Sequence, residues 1–160
     1  MAVKIRNDGN NDTVLQVAIN KSATHNYEII ERHEAGLVLV GSEVKSIRGG
    51  GASLKEAYVQ ARSGELFLVN CHVAPYANSR IETYNPTRER KLLMHKHEIE
   101  KLGIALRQKG LTLIPLRMYL KKGRIKMEFG VARGKKLHDK REDLKKKEAQ
   151  REVARALRHK

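Results

Sequence analysis

The sequence is poor in cysteine and in aromatic residues. Cys71 is the only cysteine, there is no tryptophan, and aromatic side chains make up 4% of the chain. A single thiol forms neither an internal disulfide nor a thiolate cage around a metal, which fits a reducing cytoplasm. No apolar run approaches the roughly 18 residues of a membrane span, and no signal-peptide pattern or aromatic anchor suggests a membrane partner. We therefore expect a cytoplasmic protein.

The patterns of common active sites are also missing. His95 and His97 would point apart on a helix, and no H-E-x-x-H motif accompanies them. Cys71 and His72 would face opposite sides of a strand, which is wrong for a catalytic dyad. Gly49–Gly51 lacks the lysine and hydroxyl residues of a phosphate loop, and the basic regions hold few carboxylates for Mg²⁺. The sequence thus predicts no enzyme, metal site or cofactor.

Positive charge is what the chain has in excess. The formal net charge is +15, and residues 134–160 carry eleven Lys/Arg against five Asp/Glu, a net +6 that leaves +9 for residues 1–133. Charge of this sign predicts a phosphate-rich partner, and nucleic acid is favoured over a membrane surface. Residues 134–160 are good helix formers with little apolar surface, so we expect a basic tail that is disordered alone and helical on a polyanion. The alternative is a solvated tail that only aids solubility.

Alternating apolar residues predict antiparallel strands in the rest of the chain. Residues 114–120 and 125–131 predict a hairpin that turns at 121–124, with Pro115 at an edge or a bulge. Residues 57–61 and 65–69 predict a second hairpin with a three-residue turn. Residues 27–31 and 37–40 predict two more strands that break around Glu34. The segment 1–19 is interpreted as a flexible leader, in which Val14–Ile19 could be a short extended piece.

Helix signals are fewer. Ser42 is predicted to cap a short helix over Glu43–Arg48, with Val44 and Ile47 facing the core. Asn85 and Pro86 predict the start of a helical region that continues to Gln108, and Gly103 and residues 95–97 could divide this region into two helices. Its solvated face would be basic, with Arg88, Arg90, Lys91, Lys96 and Lys101. We expect a mainly β fold, a small barrel over residues 20–133 with helices packed outside.

Several stretches resemble a known family. They are Glu34–Leu39 followed by Gly41–Arg48, then Pro86–Leu93, and finally Gly134–Arg141. In this order they resemble the small protein B (SmpB) family, the tmRNA-binding proteins of bacterial trans-translation. The resemblance implies an OB-fold-like closed β-barrel with about three peripheral helices and a basic C-terminal tail. It also implies that the barrel binds the tRNA-like domain of tmRNA (SsrA), while the tail enters the vacant mRNA channel of a stalled ribosome.

The resemblance and the charge pattern together name candidate site residues. By resemblance, the barrel positions that bind RNA are Asn20, Glu34 and Leu93. By charge, we add Lys45, Arg48, Arg90 and Lys91. By resemblance, the tail positions for the ribosomal decoding site are Gly134, Lys135, Lys136, His138, Asp139, Lys140 and Arg141. Leu93 could instead be a core residue, Glu34 could order a loop, and His138 could be solvated.

Two other functions stay open at the level of the sequence. A basic ribosomal protein or a general RNA chaperone would have the same size and charge without any specificity for tmRNA. An RNA-processing enzyme ranks last, because no candidate active site is visible. We expect a monomer.

Overall fold

The protein is described by a computed structural model over residues 5–8, 12–77, 84–107 and 110–158. The fold is mainly β sheet with several helices. The strands are β1 (Ile5–Asp8), β2 (Asp12–Ile19), β3 (Tyr27–Leu37), β4 (Ala52–Ser53), β5 (Tyr58–Arg62), β6 (Glu65–Val69), β7 (His72–Val73), β8 (Arg90–Leu93), β9 (Leu111–Lys121) and β10 (Arg124–Gly134). The helices are α1 (Ala23–Asn26), α2 (Gly41–Arg48), α3 (Lys96–Leu106) and α4 (Leu137–Arg158).

One large sheet contains most of the strands, in the order β1-β2-β9-β10-β3-β8-β6-β5. All of its pairings are antiparallel, and β5 also pairs with β9 through Val59 and Leu113. The main core lies on the inner face of this sheet, where β9, β10, β3 and β8 contribute Met118, Met127, Ala35 and Leu92. We call the opposite side of these four strands the outer face.

The β9–β10 hairpin confirms the clearest sequence pattern. Lys121 pairs with Arg124, so the turn is Lys122–Gly123, and both residues have positive φ, 50° and 73°. That geometry matches the twist of the flanking strands. Phe129 pairs with Pro115 while Glu128 pairs with Arg117, so the strand is bulged next to the proline, as predicted.

A second, small apolar cluster lies on the outer face beneath α1. Ala23 of α1 packs there against Ile114, Leu116 and Ala132, with Tyr27 beside them. The backbone N–H of Lys135 donates to Asn26 O at 2.9 Å, which fixes the start of the tail against α1. One end of the outer face is therefore covered, and the other end, towards the β9–β10 turn, carries polar side chains.

Three sequence predictions about strands and helices were wrong. Tyr27–Leu37 is one continuous strand, so Glu34 lies in its middle and not at a break. The second hairpin turns at two residues, because Arg62 pairs with Glu65. The helical region predicted from Asn85 to Gln108 is present only in its second half, as α3, whereas Arg90–Leu93 in its first half is a strand between β3 and β6. Asn85 closes only a local turn, accepting the Thr87 N–H, and strand pairing overrides the local helix signal.

The predictions for the first helix and for the N-terminal segment agree in part with the structure. The helix over Glu43–Arg48 is present but begins at Gly41, because Glu43 Oε2 accepts the backbone N–H of Val40 at 3.0 Å and Ser42 is not the cap. Residues 5–8 and 12–19 of the predicted leader belong to the paired strands β1 and β2, and the extended piece predicted at Val14–Ile19 is part of β2. Val14, Gln16 and Ala18 are buried at a spacing of two, which is what a paired strand requires. Residues 1–4 and 9–11 of the leader lie outside the described residues.

Residues of the tail form α4, where we expected disorder in the isolated chain. The helical form follows from a composition rich in Ala, Leu, Lys, Arg and Glu. Every described side chain of α4 is exposed, including Leu144, Val153 and Leu157. Because helices in proteins owe most of their stability to packing, the loss of this helix in the free chain stays a prediction.

Candidate nucleic-acid interface

The candidate interface is the uncovered end of the outer face. Strand register places Tyr119, Lys126, Gly36 and Leu93 in one row across β9, β10, β3 and β8. Arg117, Glu128 and Glu34 form the neighbouring row. Side chains that share a face of adjacent strands are in reach of one another. Two of the predicted RNA-binding residues, Glu34 and Leu93, are therefore brought together, although 58 positions separate them in the sequence.

Glu34 organises a cluster of donors. The Tyr119 hydroxyl donates to Glu34 Oε2, Lys121 Nζ lies 3.4 Å from the same oxygen, and Lys126 Nζ lies 3.7 Å from Oε1. Burial raises the pKa of Glu34, but the Tyr119 hydrogen bond and the two lysines outweigh it, so the pKa is lowered. Burial and the contact with Glu34 raise the pKa of Tyr119. At neutral pH the carboxylate is thus ionised, the phenol is protonated, and two ammonium groups are kept in place.

Glu128 organises a second cluster beside the first. Arg32 Nη1 lies 2.6 Å from Glu128 Oε1, and Arg117 Nε lies 2.7 Å from Oε2. The Arg117 guanidinium also covers the Tyr119 ring, 5.2 Å from its centroid. Glu128 is directly opposite Glu34, where two like charges would repel. Each carboxylate has its own pair of cations, so the surface remains basic although it contains two acids.

Leu93 lies on a ridge between two depressions. Its side chain is 51% exposed, so it is not a core residue. Gly36 makes room for it, since a Cβ there would be 3.3 Å from Leu93 Cβ. A polar depression of about 610 Å³ lies on one side, and a more apolar groove of about 390 Å³ on the other. Both are lined by Leu93 and Lys126.

Helix α2 borders the apolar groove, and its basic residues are exposed. Arg48 Nη2 donates to Gly123 O at 3.0 Å, which ties α2 to the β9–β10 turn. Lys45 Nζ lies 5.5 Å from the centroid of the Tyr76 ring. Lys91 forms an ion pair with Glu65 and is partly exposed. These three predicted cations can reach a ligand from the surface.

Arg90 does not belong to the interface, and its assignment as an RNA contact was wrong. Its side chain is 0% exposed. Two of its nitrogens, Nε and Nη2, donate to Glu43 Oε1 at 3.0 and 2.8 Å, and Nη1 donates to Cys71 O at 2.7 Å. Arg88 binds Glu43 as well, through Nε at 2.8 Å. The donors of Arg90 are thus used on Glu43 and on backbone carbonyls, so Arg90 joins β8 to α2 inside the molecule.

The titration of this inner cluster follows from the same contacts. Burial raises the pKa of Glu43, but hydrogen bonds from Arg88, from the Val40 backbone and from Arg90 outweigh burial. The pKa of Glu43 is therefore lowered. Burial raises the pKa of the neighbouring Cys71 thiol to about 11. A protonated, buried thiol is a poor nucleophile.

Asn20 is buried and its polar atoms serve the fold. Its backbone N–H donates to Leu116 O at 2.8 Å, and Nδ2 donates to Pro115 O at 3.0 Å. Oδ1 accepts from Ala23 N at 3.2 Å and from Ser22 Oγ at 2.8 Å. Asn20 therefore joins the β9 bulge to α1, at the end of the outer face that α1 covers.

The predicted tail residues divide into a fixed base and a helix. Gly134 ends β10, and Lys135 Nζ donates to Thr24 O at 2.9 Å. The exposed Asp139 accepts the Lys136 backbone N–H at 3.2 Å and so closes the first turn of α4. The side chains of His138, Lys140 and Arg141 lie outside the described residues.

Sequence reasoning missed most partners of Glu34 and Glu128. Arg117, Tyr119, Lys126 and Glu128 occupy the polar positions of the alternating hairpin, and that alternation was the only local signal. Within the described ranges, no group of three or more His, Cys, Asp or Glu could hold a metal ion. None of the described helices is long and apolar enough to cross a membrane.

Comparison with known proteins gives consistent similarities. The family model described as SmpB protein matches residues 17–159. The SsrA-binding protein of Syntrophotalea carbinolica is 54% identical over 142 residues, which cover 89% of this chain and 95% of the relative. That of Geobacter sulfurreducens is 55% identical over 141 residues, 88% and 92% of the two chains. A solved structure titled "tmRNA-SmpB: a journey to the center of the bacterial ribosome" matches with a TM-score of 0.62 and 45% identity, over 74% of this chain and 84% of that chain.

Proposed function

This chain belongs to the SmpB family, and from that premise we propose that it is an RNA-binding adaptor in trans-translation. It binds the tRNA-like domain of tmRNA (SsrA) and delivers it to stalled ribosomes in the cytoplasm, without chemistry of its own. The observation that carries this proposal is the shared outer face, where Glu34 and Leu93 lie together with Tyr119, Lys121 and Lys126.

The chemistry of this face suits structured RNA. Folded RNA is recognised largely through phosphates, 2′-hydroxyl groups and shape, with stacking or apolar contacts to unpaired bases. Lys121 and Lys126 supply charge for phosphates, and the groove beside Leu93 supplies apolar surface for a base or ribose. The Glu34 carboxylate would repel a phosphate, so its role is to hold the donors around it in place.

We also propose that the strands around the core form an OB-like closed barrel. The strands β9, β10, β3, β8, β6 and β5 follow one another in the sheet, and the β5–β9 pairing joins the last to the first. Closure of this kind removes exposed strand edges, which favours a rigid platform for a nucleic-acid ligand. Residues 20–133 are the proposed RNA-binding unit.

The proposed role of residues 134–160 is separate from that of the barrel. We assign the tail to the vacant mRNA channel and the decoding site, where it becomes or remains helical on ribosomal RNA. The contacts would come from Gly134, Lys135, Lys136, His138, Asp139, Lys140 and Arg141. The attachment of Lys135 to α1 supports a fixed direction for the tail where it leaves the barrel.

Binding measurements test the proposal directly. The full-length protein is titrated with the tRNA-like domain of tmRNA and with a generic RNA duplex over a range of salt concentrations. We expect a preference for the tRNA-like domain that Glu34→Gln weakens, although this change makes the protein more basic. Equal affinity for both RNAs would instead favour the basic ribosomal protein or the general RNA chaperone.

A second variant tests the division between barrel and tail. Replacing Asp139, Lys140 and Arg141 together by alanine should leave the affinity for the tRNA-like domain unchanged and abolish peptide tagging in a reconstituted translation system. Loss of RNA affinity in this variant would contradict the separation of roles.

A further inference from the structure

Arg32 and Glu128 have no assigned role, yet they lie in the proposed interface. We propose that Arg32 binds a backbone phosphate of the RNA and that Glu128 is the positioning residue that holds it ready. The proposal rests on the proposed function, because the ligand is the same RNA. It extends the interface from the Glu34 cluster towards the base of the tail.

The geometry fixes one end of Arg32 and leaves the other accessible. Its side chain is 59% exposed, while that of Glu128 is only 10% exposed. Arg32 Nη1 lies 2.6 Å from Glu128 Oε1, and Arg117 Nε occupies the other oxygen at 2.7 Å. Because Arg117 binds the same carboxylate, Glu128 has a fixed orientation, and Arg32 is anchored to a fixed acceptor.

Gly130 lies directly across from Arg32. It is the residue of β10 that pairs with Arg32, so it places no side chain of its own against the arginine. The glycine is required there, since a Cβ would lie 2.8 Å from Ile29 Cγ2, 3.1 Å from Glu31 O and 3.5 Å from Leu116 Cδ1. Ile29 and Leu116 therefore fill the space above Gly130, and it is the 59% exposure of Arg32 that allows a backbone phosphate to approach its guanidinium.

The charge and the fork of the guanidinium favour a phosphate ligand. Arg32 is positively charged, and its side chain is more than half exposed. A guanidinium presents several N–H donors in a plane and binds phosphate in a bidentate manner. Orienting it before binding removes part of the rotamer entropy that an unconstrained side chain loses.

The position of Arg32 distinguishes it from an ordinary surface ion pair. It lines the same polar depression of about 610 Å³ as Glu34, Leu93 and Lys126. Arg62 and Glu89 form an exposed ion pair on the β5 side, and neither of them lines this depression. This second pair has the same chemistry and supplies a matched control.

The test compares both pairs in the full-length protein, with the tRNA-like domain of tmRNA as the probe. Arg32→Ala should weaken binding roughly tenfold, the effect of one charged hydrogen-bonded contact. It should also reduce the slope of log K against log salt by about 0.7–0.9. Arg32→Lys keeps the charge and loses the fork, so it should weaken binding less and retain the slope. Arg62→Ala should change neither quantity by as much.

The sign of the Glu128→Gln effect separates positioning from simple charge. This substitution makes the surface more basic, so a purely electrostatic surface would bind RNA more tightly. A positioning role predicts weaker binding with an unchanged salt slope, because Arg32 is released from its anchor. Glu89→Gln, with the same change in charge, should leave affinity unchanged or raise it.

The outcomes also separate this proposal from the function on which it rests. If Arg32→Ala leaves affinity and slope unchanged, or Glu128→Gln tightens binding, the proposal is overturned. Even then, the proposed function stands if the wild-type protein prefers the tRNA-like domain and Glu34→Gln weakens binding. If the wild type shows no such preference, the proposed function itself fails.

Discussion

Two glutamates in this protein are each shared by two arginines, at opposite depths in the fold. Glu43 and Arg90 are both 0% exposed, inside the molecule between α2 and β8. Glu128 and Arg32 lie on the outer face, with Arg32 more than half exposed. The chemistry is the same, but Arg90 is closed to water and Arg32 is not.

Burial, and not charge, decides whether an arginine of this protein maintains the fold or is available to a ligand. The donors of Arg90 are used within the protein, on Glu43 and on backbone carbonyls. The inner cluster therefore sets how α2 meets β8, and so where Arg48 and Leu93 are presented. The outer cluster presents charge to a ligand directly.

Removing Arg90 gives the largest expected loss of stability. Arg90→Ala leaves the Glu43 carboxylate buried with fewer donors, which should lower the free energy of unfolding by about 3–5 kcal/mol. Chemical denaturation measures it, with Arg62→Ala as the control for an exposed pair, expected to cost about 0–1 kcal/mol. Equal losses in both variants would mean that burial does not distinguish the two kinds of arginine.

Neighbouring leucines sharpen the same contrast between inside and outside. Leu92 is 1% exposed, so Leu92→Ala should cost about 2–5 kcal/mol of stability. Leu93→Ala should cost less than about 1 kcal/mol, yet weaken binding to the tRNA-like domain several-fold, because Leu93 is exposed on the ridge. Thermal unfolding and RNA titration of both variants check this. A strong loss of stability in Leu93→Ala would instead indicate that Leu93 packs as a core residue.

The pH dependence of stability should report on the inner glutamate. The pKa of Glu43 is lowered in the folded state from a reference value of 4.5. Its contribution to stability is therefore complete above about pH 4.5 and is lost as the pH falls through the lowered value. The free energy of unfolding of the wild type should decrease below about pH 4.5, and less steeply in Glu43→Gln. Parallel curves for the two proteins would show that Glu43 is not the titrating group.

The tail should give the smallest effect on stability. Ala149→Pro in α4 should leave the unfolding free energy unchanged, because no described side chain of α4 is buried. Ala105→Pro in the packed helix α3 is the control and should cost about 3 kcal/mol or more. Circular dichroism of the free protein then tests the predicted disorder of the tail. A large loss of helical signal in Ala149→Pro would show that α4 is stable without RNA.

The β9–β10 hairpin could be predicted from the sequence because its signal is local. Alternation over residues 114–131 and the Lys122–Gly123 turn determine the strands without help from distant residues. The strand at Arg90–Leu93 could not be predicted in this way, because it depends on pairing with β3 and β6. Its local signals, Asn85 and Pro86, favour a helix.

The candidate site was predicted only in part. The family resemblance supplied Glu34 and Leu93, but Tyr119, Lys121 and Lys126 reach Glu34 only through strand pairing across about half the chain. Charge alone assigned Arg90 to RNA and overlooked Arg32. A sequence pattern does not tell which of two arginines is covered by the fold.

The most direct test is to measure Glu43→Gln and Glu128→Gln side by side, each for its free energy of unfolding and for its affinity for the tRNA-like domain. We expect Glu43→Gln to lose mainly stability, with folded molecules that retain most of their RNA affinity. We expect Glu128→Gln to lose RNA affinity with a stability loss on the order of 1 kcal/mol. The reverse pattern, or the same pattern in both variants, would contradict the division between an inner cluster that maintains the fold and an outer cluster that binds RNA.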